Sequence, residues 1–254
     1  MYYEALLKLM KRRIIDMVNG KEKLIVAIDT DNFEKAKEMI DKLEDSVDIF
    51  KVGLEQYVAT RGKTLDYLKE KGKKVFLDLK FHDIPNTMKS AVKAAVRDNV
   101  WLMTIHVSDM EGMRQCAEIA KEEAERLNIE KPLIVGVTVL TSLSNEDLQD
   151  IGCSMTAEEL VIKRAKLAQK AGIDGVVCSA REVDKIVEIC GDDFVTVCPG
   201  IRPATAEIGD QKRVVTPSDA IRRGAKYIVV GRPITQAENP KEAAESIVRE
   251  IENA

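Results

Sequence analysis

From residue 24 onward the chain repeats one pattern, a short apolar and β-branched run followed by a longer amphipathic one. The strand-like runs span 24–29, 49–53, 74–80, 101–107, 133–139, 175–179, 194–201 and 227–232. Helical periodicity fills 32–44, 57–71, 86–98, 110–127, 156–171, 181–189, 217–223 and 240–252, where apolar residues return every three or four positions. Runs that are apolar almost throughout belong to strands buried on both faces, and helical crossovers between them impose parallel pairing. Eight such units in 254 residues predict an α/β fold of TIM-barrel type, a (β/α)8 barrel. An open, doubly wound sheet is the rival. It usually has fewer strands, and no G-x-G-x-x-G follows the first run here. No change of composition and no Pro/Ser-rich linker divides the chain, so a single domain over 1–254 is expected. Ahead of the barrel, Leu6, Leu7, Met10, Ile14 and Met17 recur at helical spacing before Gly20. They predict an extra N-terminal helix over 1–20, stopped by the glycine and packed on the barrel.

Composition narrows the function more than the fold. A hydrophobic content of 45% with 32% charged residues fits a soluble protein with a large core. A formal net charge of −4 argues against nucleic acid as a partner, which normally calls for a basic excess. Arg12 and Arg13 interrupt the apolar core that a signal peptide would need. No window reaches the ~18 apolar residues of a membrane span. The five cysteines (Cys116, Cys153, Cys178, Cys190 and Cys198) are odd in number and scattered, with no C-x-x-C pair. That pattern fits reduced thiols in a cytoplasmic protein better than a disulfide framework or a zinc site.

A barrel places its chemistry at the C-terminal ends of the strands. Those ends carry Asp29, Lys51, Asp78 with Lys80, His106, Thr141, Ser179, Arg202, and Gly231 with Arg232. Alternation along the third run puts Phe76, Asp78 and Lys80 on one face, and the aliphatic Val75, Leu77 and Leu79 on the other. The second set packs on helices, so Asp78 and Lys80 point into the barrel mouth. Lys51 aims the same way from the neighbouring strand, about 4.8 Å away, and Asp83 follows in the loop before a helix opening near Pro85. Such a cluster can be a structural ion-pair network. Burying it costs several kcal/mol per ion, though, and a function explains it more readily. Alternating signs keep both lysines protonated and both aspartates ionised. Lys80 is then a proton donor.

A second group closes the chain. "VVGRPIT" ends an apolar run with Gly231 and Arg232, in the loop where barrels often bind phosphate. The long connection "GIRPATAEIGDQKRVVTP" precedes it, and its Arg202 and Gln211 are placed to fold over a phosphate. Thr141 and Ser142 offer hydroxyls to a ring edge, although both are also ordinary turn residues. His82 and His106, the only histidines, are expected as packing residues. No metal is expected, because lysines beside the carboxylates would compete with a cation.

These segments together resemble the orotidine 5'-phosphate decarboxylase family, of bacterial type, over essentially the whole chain. The resemblance is carried by "AID" at Asp29, "FKVG" at Lys51, "DLKFHDIPNT" at 78–87, "VTVLTS" at Thr141, "PGIRP" at Arg202 and "VVGRPIT" at Gly231 and Arg232. D-x-K-x-x-D alone is less specific, since a sister family acting on 3-keto-gulonate 6-phosphate shares it. The resemblance implies a cofactor-free decarboxylation of orotidine 5'-phosphate to uridine 5'-phosphate, with Lys80 protonating C6. It implies Asp78 against the substrate carboxylate, Lys51 and Asp29 at the ribose hydroxyls, and Thr141 at the pyrimidine. Arg202, Gln211, Gly231 and Arg232 would bind the phosphate. It further implies a homodimer, in which Asp83, Ile84 and Thr87 complete the partner's site. Another phosphosugar barrel enzyme, a Schiff-base aldolase using Lys80, or a non-catalytic phosphate-binding module are the alternatives.

Overall fold

A computed structural model describes residues 19–203 and 215–254. Eight parallel strands close on themselves in sequence order. They are β1 (Leu24–Ile28), β2 (Ile49–Gly53), β3 (Lys74–Phe81), β4 (Leu102–His106), β5 (Leu133–Val137), β6 (Gly175–Val177), β7 (Val195–Cys198) and β8 (Tyr227–Val230). The (β/α)8 barrel expected from the pattern is the fold. Closure follows from register: Ile25 pairs with Ile49 on one side and with Val229 on the other, so β1 has no free edge.

Side-chain alternation divides the apolar residues into two cores. Ile25, Ala27, Ile49, Phe76, Leu102 and Val135 fill the inside of the barrel together with Val197 and Val229. Val26, Val52, Val75, Leu77, Met103 and Ile105 face outward, into the layer beneath the helices. A strand in such a sheet is covered on both faces, which is why its sequence is β-branched and apolar rather than alternating. The floor of the barrel is plugged by Trp101 and Tyr227, whose rings meet edge to face at 5.0 Å.

Several elements differ from the sequence reading. The helix expected over 57–71 is two helices, Leu54–Thr60 and Lys63–Glu70. Arg61 and Gly62 both adopt positive φ between them, 51° and 84°, and break the hydrogen-bond ladder. Two short helices, Asn145–Asp150 and Arg232–Thr235, have no counterpart in the periodicity. A run of four or six residues is too short to display a 3.6-residue repeat. Gly20, expected to stop a helix, instead opens the short helix Gly20–Lys23, capped by the Asn19 side chain. A Cβ there would lie 2.5 Å from the Val248 carbonyl oxygen, so the glycine serves a close approach to the last helix. The remainder of the expected N-terminal helix, 1–18, and the candidate Gln211 lie outside the described residues. Among the described residues, no helix is long and apolar enough to cross a membrane.

Candidate active site

The C-terminal mouth of the barrel gathers the charges of β1, β2 and β3 into a chain. The Lys51 ammonium lies 3.3 Å from Asp29 Oδ1 and 3.5 Å from Asp78 Oδ2. The Lys80 ammonium donates to both Asp78 oxygens at 2.9 Å. Asp78 is the most enclosed carboxylate of this set, its side chain 12% exposed, whereas Lys80 keeps 29% and faces the cleft. Burial pushes the Asp78 carboxyl up. Lys51 and Lys80, with hydrogen bonds from Lys80 and Thr104, more than reverse this and leave it below its ordinary value. Asp78 is therefore a fixed anion.

Local backbone explains how Lys80 reaches that position. The register of β3 against β4 shifts between Leu77 and Phe81, a bulge in the ladder. Lys80 sits in it with φ of 51°, a left-handed conformation that costs an ordinary residue about 1–2 kcal/mol. Flat alternation predicted the correct face for Lys80, but the bulge is what turns its side chain back over Asp78. Bulges commonly re-aim a side chain next to an active site. Gly53, at the end of β2 opposite Asp78, makes room for the pair beside it. A Cβ there would stand 2.8 Å from Lys51 Nζ and 3.3 Å from Asp29 Oδ1.

Two cavities open from this cluster and share Lys51, Pro199 and Val229. One, of about 290 Å3, is walled by Asp78, Lys80, Thr141, Ser142 and the aliphatic Val137 and Val177. The other, of about 210 Å3, runs past Asp29 to Gly200, Arg202, Gly231 and Arg232. The cleft thus has an apolar-walled charged end and a cationic end. Arg202 is buried, and its backbone N–H donates to the Val215 carbonyl at 3.1 Å, tying together the two ends of the long connection. Strand β8 ends at Val230, earlier than the run expected over 227–232. Gly231 precedes the short helix Arg232–Thr235.

Not every expected residue joins the cleft. Asp83 is exposed and its carboxylate accepts the Ile84 N–H at 2.7 Å, with no contact to Lys80 or Asp78 of its own chain. Ile84 and Thr87 are exposed beside it. Ser179 is buried and accepts the Arg181 N–H in a turn. His106 is half-buried, its ring 5.2 Å from that of His82. Burial, then His82, Arg164 and Lys80, hold it below the usual histidine value, so it is neutral at pH 7. Among the described residues no group of three or more His, Cys, Asp or Glu is arranged to hold a metal ion.

One residue escaped the sequence reading. Thr104, fully buried on β4, accepts the Lys80 N–H at 2.9 Å and donates to Asp78 Oδ1 at 3.0 Å. Its signal was available: Leu102, Thr104 and His106 share one face of an otherwise apolar strand.

Fold and cleft together define a (β/α)8-barrel protein with a charged cleft at the strand ends, the place where enzymes of this fold carry their active sites. The model of the orotidine 5'-phosphate decarboxylase / HUMPS family matches residues 22–247, and the chain belongs to that family. It is 46% identical over 237 residues to the orotidine 5'-phosphate decarboxylase of Moorella thermoacetica, covering 92% of this chain and 94% of that one. With the same enzyme of a Nostoc species it shares 47% over 234 residues, 91% of this chain and 98% of the relative. The crystal structure of orotidine 5'-phosphate decarboxylase from Lactobacillus acidophilus superposes with a TM-score of 0.78 at 38% identity, covering 92% and 100% of the two chains.

Proposed function

We propose that the protein decarboxylates orotidine 5'-phosphate to uridine 5'-phosphate, the last step of de novo pyrimidine synthesis, without a cofactor. The observation that carries this reading is the Lys80 ammonium fixed 2.9 Å from both oxygens of buried Asp78, at one end of a cleft whose other end is cationic. The names of the relatives at 46% and 47% identity agree with it.

The chemistry follows from charge. As the bond from C6 to the carboxylate breaks, the electron pair stays on C6 and carbon dioxide departs. The pyrimidine offers that pair no ready sink, so electrostatic stabilisation must lower the barrier. Lys80 stands as the cation for the developing carbanion and delivers its proton to C6, becoming a neutral amine that regains a proton from water. Asp78 would face the substrate carboxylate and hold Lys80 in place, while Lys51 and Asp29 would take the ribose hydroxyls. Thr141 would meet the pyrimidine edge. Arg202, Arg232 and Gly231, with Gln211, would take the phosphate. Binding energy gained at that remote end can offset the cost of pressing a carboxylate toward Asp78.

A homodimer with shared sites belongs to the same reading. Asp83 and Ile84 line neither cavity of their own chain, and both are exposed, Ile84 by 67%. Leu54 and Val58, one turn apart after the adjacent strand, are exposed as well. An apolar rim of this kind fits a contact with a second copy.

The decisive test is an ultraviolet assay of orotidine 5'-phosphate, with and without chelator. Turnover indifferent to chelator is expected, and Lys80→Ala should abolish it while still binding uridine 5'-phosphate. Normal turnover in Lys80→Ala would remove Lys80 from the mechanism. Activity lost on chelation would point to a metal-dependent relative instead.

A further inference from the structure

Thr104 joins the two groups on which the proposed chemistry depends. Its hydroxyl oxygen accepts the backbone N–H of Lys80 at 2.9 Å, and its proton goes to Asp78 Oδ1 at 3.0 Å. Lys80 stands there in a left-handed conformation at the bulge of β3. A lysine holds such a conformation only when its surroundings over-determine it. The threonine lines neither cavity and has no exposed surface. Packing alone would be served as well by valine, which has the same shape without the hydroxyl.

We infer that Thr104 is a positioning residue for the reaction: its hydroxyl locks the turned backbone of Lys80 and the carboxylate of Asp78 into one unit. The inference rests on the decarboxylase reading for its effect on rate, and on geometry alone for its effect on Asp78. The charged and titratable groups around Asp78 are Lys51 from β2, Lys80 from its own strand and His106 from β4, with Asp29 beyond Lys51. Thr104 adds a neutral hydrogen bond that favours the ionised form. Without it the Asp78 carboxyl titrates higher, and the acid limb of the rate profile moves to higher pH.

Steady-state decarboxylation of orotidine 5'-phosphate against pH, for the wild type, Thr104→Val and Thr104→Ser, tests this. Thr104→Val should lower kcat about 10- to 100-fold, the loss expected for a hydrogen bond to a charged group. KM and the binding of uridine 5'-phosphate should hardly move, the acid limb should shift upward, and Thr104→Ser should restore both kcat and the limb. Wild-type kcat with an unmoved limb in Thr104→Val would overturn the inference. So would a serine variant as impaired as valine, or a loss that falls on KM. Should thermal melting show Thr104→Val unfolded, Thr104→Cys removes most of the hydrogen bonding at similar volume. Carbon-13 titration of the Asp78 carboxyl reads the clamp without turnover. An upward shift in the valine variant supports the clamp even if orotidine 5'-phosphate proves not to be the substrate, and no shift refutes it.

Discussion

Single residues set the tolerances of the cleft. Gly53→Ala would bring a methyl group to 2.8 Å from the Lys51 ammonium, and that ammonium bridges Asp29 and Asp78. The flexible lysine must yield, so we expect kcat/KM to fall by about tenfold or more with little change in melting temperature, as for a misplaced charge. Steady-state kinetics beside thermal melting checks this; unaltered kcat/KM would show the position of Lys51 to be irrelevant. Asp78 makes a prediction of opposite kind. Its folded carboxyl titrates below 3.8, so under acid the unfolded chain takes up a proton before the folded one does. Its contribution to stability is present above pH 3.8 and is lost as the pH falls through the lower folded value. The charges themselves were legible in the sequence, because ionisable residues ending apolar runs have few structural explanations. The glycine was not, because its reason lies on another side chain.

At the scale of elements, the helices Pro85–Arg97 and Met110–Leu127 are joined through Glu123, almost fully buried. Its carboxylate accepts from Arg126 at 2.8 and 2.9 Å and from Arg97 at 2.6 Å, with Lys93 at 3.7 Å. Arg126 first and Arg97 second pull its pKa down to about 2, against an ordinary 4.5. The sign is that of a depressed acid. Stability is whole above pH 4.5 and falls as pH drops from 4.5 toward 2. Glu123→Gln should lower the melting temperature at pH 7 and flatten its fall across that window, as measured by circular dichroism. An unchanged acid profile would mean that the ion pairs do not couple the helices. Sequence periodicity located both helices but said nothing of this join, which brings Arg97 and Glu123 together across 26 positions.

For the whole molecule, the exposed Asp83, Ile84, Leu54 and Val58 pose the question of assembly. Under the proposed dimer, mixing Asp83→Ala with Lys80→Ala subunits should recover activity, because one site of each hybrid then holds both native residues. Neither variant alone should approach it. No recovery despite demonstrated subunit exchange would confine each site to one chain. Asp83 is exposed and lines neither cavity of its own chain. The sequence itself set Asp83 just beyond Lys80, in the loop before the helix that opens near Pro85.

The sequence by itself determined the number of βα units, their order and the inward face of Asp78, Lys80 and Lys51. These depend on local rules: periods of two and 3.6 residues, and the cost of charge in an apolar strand. Tertiary structure decided the rest. Closure of the barrel set the register that places Thr104 beside the bulge, turned Lys80 left-handed over Asp78, and made the two halves of the cleft meet at Lys51. Such features come from contacts between strands some 25 residues apart. Only packing the closed sheet, which leaves each strand a single register, fixes them.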